Sequence, residues 1–367
     1  MRYLPERCLP DKALDLLDES AAATAMRQLF APKQLHVTPE AVAKAVSLRT
    51  GIPAGKITQP ERRELLQLEE RLKKRIIGQD AAVCKVAAAV RRGRSGLADK
   101  NRPVAAILLA GPTGVGKTAL CRALAAEVYG SEKALIRFDM SEYMEKHTVS
   151  RLLGAPPGYV GHGEGGELTE KVRTKPYSLV LFDELEKAHR DVTGILLQLL
   201  EDGRLTDATG RMVDFRHTLI VMTTNAGSTA QSTCAIGFAG QGSDTVLMKQ
   251  LQAHFSPELL GRIDAVACFQ KLGAAELETI AADLLAQTKQ RAAQAGIELR
   301  IDPAAAACLG AGCCGKSGAR ELRHLVQTAV EDPLADLLLQ SEHTPVQARV
   351  VCTGGKLTVC SGNALPV

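Results

Sequence analysis

Residues 104–118 read Val-Ala-Ala-Ile-Leu-Leu-Ala-Gly-Pro-Thr-Gly-Val-Gly-Lys-Thr, a stretch that leaves a chain little choice of fold. The run Val104–Ala110 is apolar throughout, the pattern of a strand buried on both faces as in a parallel sheet. It empties into Gly111-x-x-x-x-Gly116-Lys117-Thr118, and Ala119–Val128 continues with good helix formers. Strand, glycine-rich loop and helix in that order are the context of a phosphate-binding loop. Gly111, Pro112, Thr113, Gly114, Val115 and Gly116 would turn backbone N–H groups around phosphate oxygens, and the helix N-terminus adds partial positive charge. Lys117 would reach the β- and γ-phosphates, and the Thr118 hydroxyl would ligate Mg²⁺. The stretch predicts a nucleoside triphosphate site.

Around it the pattern alternates strands with helices from Ile76 to about Ala267, which predicts a parallel sheet covered on both faces. The expected strands are Val104–Ala110, Leu135–Asp139, Leu179–Asp183 and Thr218–Thr223, with a helix at Thr193–Leu200. After Leu272 alanine-rich helices (Ala274–Ala293, Pro303–Leu309, Gly318–Leu339) interleave with short strands at Ile297–Ile301, Ala348–Cys352 and Lys356–Cys360, a smaller α+β unit. Ahead of the sheet lie short helices near Leu9–Glu19 and Thr38–Ser47, then a charged helix Gln59–Lys74 whose mixed Glu/Arg/Lys run predicts a solvated face. A chain of 367 residues is too long for one ordinary core, in keeping with such a division. The expected units are 1–30, a helical linker 31–75, an α/β domain 76–267 and a small domain 268–367.

Charge sets limits on partners. With 45 bases against 41 acids the net charge is +4, which makes no electrostatic case for nucleic acid. No run of 18 apolar residues occurs and the first residues lack a signal-peptide core, so no membrane and a cytoplasmic location are expected. The ten cysteines contain no Cys-x-x-Cys pair and several fall in apolar patterns, which favours reduced, buried thiols over a zinc site.

The expected third strand ends Leu-Val-Leu-Phe-Asp183-Glu184, two carboxylates at the C-terminal end of a parallel strand, where ligands bind. Asp183 would hold Mg²⁺ and Glu184 would polarise the water that attacks the γ-phosphate. The fourth ends Met222-Thr-Thr-Asn225, whose amide could position the same water.

Phosphate loop, Asp-Glu strand and Asn225 together resemble the AAA+ ATPases. Further segments resemble the second ATPase module of the Clp/Hsp100 unfoldases: Asp139-Met-Ser-Glu-Tyr-Met, Gly154-Ala-Pro-Pro-Gly-Tyr-Val-Gly161, Asp183-Glu-Leu-Glu-Lys-Ala-His189 and Asp202-Gly-Arg-Leu-Thr-Asp207. Residues 1–30 resemble the tail of a preceding AAA+ module, most of which would then be absent from this chain. The resemblance implies an AAA+ fold with a C-terminal lid domain, ATP and Mg²⁺ as cofactors, and a homo-hexamer that threads unfolded or tagged proteins through its pore. It implies adenine packing by Ile76 and Ile77, a phosphate sensor at Arg320 in Gly318-Ala-Arg320, and an arginine finger at Arg262 offered to the neighbouring subunit. The family often has Arg where Ser256 stands and Asn where Gly261 stands. Gly158-Tyr159-Val160-Gly161 corresponds to the substrate-gripping pore loop, and Gly163–Glu170 to a second pore loop. Ile236-Gly237-Phe238 resembles the loop that docks on a ClpP-type peptidase, and no sustained heptad run lies between residue 30 and the phosphate loop. Both point to the ClpA/ClpC branch, ClpA above all, with adaptor proteins as further partners. A peptidase-independent disaggregase is the alternative within the fold; a nucleic-acid motor would call for basic loops where this chain has Glu164, Glu167 and Glu170.

Overall fold

The computed structural model describes residues 10–27, 36–50, 59–154, 165–226, 242–313, 318–340, 346–353 and 356–361. Strands β1 (Ala105–Ala110), β2 (Leu135–Asp139), β3 (Leu179–Asp183), β6 (Leu219–Thr224) and β7 (Ala265–Cys268) form one parallel sheet in the order β2–β3–β6–β1–β7. Between β3 and β6 the chain makes a small antiparallel hairpin, β4 (Arg204–Thr206) with β5 (Met212–Asp214).

Period-two alternation explains why β1 is apolar throughout. Ala106, Leu108 and Ala110 join the core on one face, with Phe138, Phe182 and Met222 from neighbouring strands. Ala105, Ile107 and Leu109 join the core on the opposite face, with Leu181 and Val221. A central strand covered on both sides has no solvent face on which to carry polar residues.

Helices α1 (Asp11–Arg27) and α2 (Pro39–Thr50) pack on each other. Helix α3 (Gln59–Arg75) keeps the expected charged, solvated face and adds to it a buried apolar stripe. Its Leu68 and Leu72, with Ile76 just beyond, are spaced by four and lie 1%, 0% and 5% exposed in the core beneath α4 (Asp80–Arg94) and α5 (Lys117–Tyr129). Its charges occupy the other side, where Arg71 meets Glu127 at 3.1 Å, so one apolar stripe suffices to make it part of the α/β unit. On the opposite face lie α6 (Lys146–Leu153), α7 (Glu167–Thr174) and α8 (Arg190–Asp202). The expected second pore loop is shortened, because Glu167 to Glu170 form the first turn of α7. There Glu167 accepts from Arg151 at 2.5 Å and from Tyr143 Oη at 3.0 Å.

The large sheet also runs past its expected end. β7 was not predicted, yet Cys268 pairs with Ala110 and the Phe269 N–H donates to Ala110 O at 2.7 Å. The small unit follows: a long helix Ala274–Gln294, strand β8 (Ile297–Ile301), helices Ala304–Cys313 and Ala319–Val326, and strands β9 (Val346–Thr353) and β10 (Lys356–Ser361). β8 pairs parallel with β9, and β9 antiparallel with β10. Its core, centred on Leu285, Leu322 and Val350, is separate from that of the large sheet. The single helix expected at Gly318–Leu339 widens into a π turn over Gln327–Glu331, where the Asp332 N–H donates to Gln327 O. Pro333 follows at once; its missing N–H and ring would clash with a regular α turn there, and the wider turn accommodates them.

Candidate nucleotide site

Where the C-terminal ends of β1, β3 and β6 meet the small unit, a cleft of about 310 Å³ opens. Thr113, Gly114, Gly116, Lys117 and Thr118 line one side, Asp183, Glu184 and Asn225 another, and Arg320 closes it from the small unit. The phosphate loop takes its expected course. Gly116 caps α5 at φ +106, a left-handed conformation that a Cβ would resist, and the N-terminal end of α5 that follows it lines the cleft. Gly111 and Val115 are buried beneath the loop.

Lys117 is folded back against the loop. Its Nζ donates to Gly111 O at 2.5 Å, Asn225 Oδ1 at 2.8 Å, Thr224 O at 3.0 Å and Pro112 O at 3.2 Å. Burial pushes its pKa down to about 8, against the opposing pull of Glu186, Asp183 and Glu184.

The two acids at the end of β3 are tied together by Thr223 on the neighbouring strand β6. Its hydroxyl donates to Asp183 Oδ1 and accepts the Glu184 N–H at 3.0 Å. Glu184 has φ +59, the one described non-glycine residue in that region. A strained backbone at a strand end turns the side chain out of the sheet direction and toward the cleft, the kind of local cost found at functional sites. Its carboxylate meets Lys187 at 2.5 Å. Asp183 Oδ2 lies 2.7 Å from the Arg137 guanidinium, carried by β2. Thr118 and Asp183 face one space with hard oxygen donors, the set suited to Mg²⁺.

Arg137, Thr223 and Arg323 in this cleft were not singled out by sequence reasoning. Arg137 alternates with the buried Ile136 and Phe138 on β2, and Thr223 stands two residues before Asn225. Position near a strand's C-terminal end was the signal available for Thr223; for Arg137, mid-strand on β2, a lone charge between two buried apolar residues was the signal. Ile76 packs in the core and Ile77 is half-buried beside it; neither lines the cleft. The segment is nevertheless joined to the glycine-rich loop, since Gln79 Nε2 donates to Val115 O at 3.5 Å, and Gln79 is itself held by Gln270, whose O accepts from Nε2 at 2.9 Å and whose N–H donates to Oε1 at 3.0 Å. Arg262 is not brought to this cleft; it sits at the end of a helix, Pro257–Arg262, that packs on α8. Residues 158–161 and 236–238, the expected pore and docking loops, lie outside the described residues. Among the described residues no helix is long and apolar enough to cross a membrane.

Comparison with known proteins matches three stretches of the chain to family models. Residues 102–266 match the AAA domain (Cdc48 subfamily), 272–352 the C-terminal D2-small domain of ClpB protein, and 1–65 an AAA lid domain. The ATP-dependent Clp protease ATP-binding subunit ClpE of Bacillus subtilis is 44% identical over 93% of this chain and 56% of its own length. Chaperone protein ClpB of Pseudomonas putida is 48% identical over 94% of this chain and 40% of its own. A closed-state cryo-EM reconstruction of Hsp104 with ATPγS and FITC-casein superposes with a TM-score of 0.86 at 35% identity, covering 98% of this chain and 62% of that one. The chain thus spans about half the length of the curated relatives it matches.

Proposed function

The chain belongs to the Clp/Hsp100 AAA+ ATPases, with their second ATPase module, and on that premise we propose that it hydrolyses ATP to unfold and thread protein substrates. One observation carries the reading: Lys117, Asp183, Glu184, Asn225 and Arg320 converge on a single cleft between a large and a small unit. A nucleotide seated there touches both units, so its cleavage changes how they are held together.

The residues divide the chemistry. Lys117 exchanges its carbonyl acceptors for β- and γ-phosphate oxygens, and the loop N–H groups surround the same phosphates. Glu184, aimed by its backbone, takes the proton of the attacking water, and Asn225 orients that water. Arg320 stabilises charge on the γ-phosphate from the small unit. Thr118 and Asp183 would hold Mg²⁺, which when bound neutralises phosphate charge. Arg262, remote from its own cleft, serves the neighbouring subunit's nucleotide in a homo-hexamer. Tyr159, between Gly158 and Val160-Gly161, grips substrate in the pore, and Ile236-Gly237-Phe238 docks on a ClpP-type peptidase, with adaptors supplying further substrates. A second reading, remodelling without a peptidase, is favoured by the similarity to chaperone protein ClpB.

The test is ATPase rate against protein concentration for the wild type, Glu184→Gln and Arg262→Ala, with an unfolded protein substrate and ClpP-type peptidase present or absent. The expected rate rises cooperatively with concentration; Glu184→Gln lowers kcat by about 10²- to 10⁴-fold, and Arg262→Ala by on the order of 10³-fold. Degradation only with peptidase supports the docking loop, whereas remodelling without it supports the second reading. A concentration-independent rate and a silent Arg262→Ala would overturn the ring motor.

A further inference from the structure

Arg102 lies outside the nucleotide cleft and outside the motifs read from the sequence, yet its guanidinium joins three elements just before β1. Its Nε donates to Leu200 O at 2.9 Å, in the last turn of α8. One terminal nitrogen donates to the carbonyl oxygen of Arg262 at 2.5 Å, and the other lies 3.7 Å from Asp264 Oδ1. Asp264 is itself stitched to β1: Oδ2 accepts the Ala106 N–H at 2.7 Å, and its own N–H donates to Ala106 O at 2.8 Å. The side chain of Arg262 is held from the same turn of α8, where Glu201 Oε1 accepts from it at 2.6 Å.

We propose that Arg102 and Glu201 are positioning residues for Arg262, fixing its backbone and its guanidinium to one platform so that it is presented ready-aimed to the nucleotide of the adjoining subunit. This rests on the reading of Arg262 as a residue that acts in trans. Arg262 is 42% exposed at its side chain and sits on a helix of six residues, so nothing else described restricts its rotamers. A long side chain left to sample them is seldom in the productive geometry, and misplacement by about 1 Å costs on the order of 10²-fold in rate. Arg102 supplies a fixed planar fork whose contacts run from three separate nitrogens, a spread that the single nitrogen of an ammonium group does not span. The platform is held by packing, since Leu196, Leu199 and Leu200 of α8 are buried in the core of the large sheet beside Glu201.

Glu201→Ala, Arg102→Lys and Arg102→Met are assayed in the full chain for kcat, nucleotide Kd and Tm. Glu201→Ala is expected to lower kcat about 10- to 100-fold while leaving Kd and Tm unchanged, since the pair it breaks is exposed and contributes little to stability. Arg102→Lys is expected to lose rate to a similar extent, as charge alone does not replace the fork. Mixing supplies the readout that a purely structural role would not move. An Arg102→Met subunit keeps its own nucleotide cleft, and a Lys117→Ala subunit keeps its arginine, so an equimolar mixture is expected to exceed the mean of the two parents. If Arg102→Met does not fold, Glu201→Ala takes its place in the mixture. Wild-type kcat in both Glu201→Ala and Arg102→Lys, or a mixture equal to the mean, overturns the proposal while Arg262→Ala remains defective; a silent Arg262→Ala overturns the trans reading itself.

Discussion

Lys117 shows how one buried charge sets conditions for the whole site. At 8% exposure it makes four hydrogen bonds to oxygen but faces no carboxylate directly, and burial brings its pKa down to about 8 from an ordinary 10.5. The unfolded chain therefore binds more protons at this residue between about 8 and 10.5, and its contribution to stability grows more favourable as pH rises through that window. Nucleotide binding runs the other way. Phosphates require the ammonium form, so above about 8 binding must take up a proton, and affinity falls toward about tenfold per pH unit. Titration with a fluorescent ATP analogue across this range would show the slope, and Lys117→Met would lack it; a flat profile in the wild type would contradict the assignment. Among the acids, Glu184 and Asp183 were legible as a pair because a strand's end is a local pattern. Their coupling through Thr223, forty residues from Asp183, was not, since strand order rather than chain order makes them neighbours.

At the scale of elements, the helix Pro257–Arg262 is too short to persist without help, and its help is visible. Ser256 is its N-cap, in an extended conformation with its Oγ accepting the Leu259 N–H at 3.3 Å, and Pro257 opens the first turn. Ser256→Ala is expected to cost about 1 kcal/mol in urea unfolding and to lower the rate assigned to Arg262. Gly261 lies inside the same helix with open space where a Cβ would be built and no positive φ. Gly261→Ala should accordingly stabilise by about 0.5–1 kcal/mol, and a destabilisation in the same unfolding assay would show that the site needs glycine. The long buried strands β1 and β3 and the helix Ala274–Gln294 could be read from apolar runs and periodicity. The hairpin β4–β5 and strand β7 could not: three- and four-residue strands carry too little period to register, and they exist because neighbours supply their hydrogen bonds. Helix α3 looked solvated because its charges outnumber its apolar stripe, though the stripe decides where it packs.

For the whole molecule, the decisive contact joins the small unit to the phosphate loop. The Ala319 N–H donates to Gly114 O at 2.9 Å, and a Cβ on Gly318, at φ +68 and ψ −140, would sit 3.0 Å from that same oxygen. Gly318→Val places a branched side chain in a conformation essentially reserved for glycine, at a cost on the order of 1–3 kcal/mol. The expected outcome is weaker nucleotide binding and two separated calorimetric transitions, because the two units have separate cores; a single wild-type transition would argue against this contact as the coupling point. What the amino-acid sequence determined by itself was a strand, glycine-rich loop and helix in succession, acids at a strand's end, and two successive cores of different character. Each is written within a few residues, where spacing and side-chain type decide the outcome. What only the tertiary structure decided was Arg137 against Asp183, Arg102 beneath Arg262 across 160 residues, and Gly318 beside Gly114. Those pairings depend on which strands adjoin and how two cores pack, and no local pattern encodes a contact whose partners meet only after the sheet has closed.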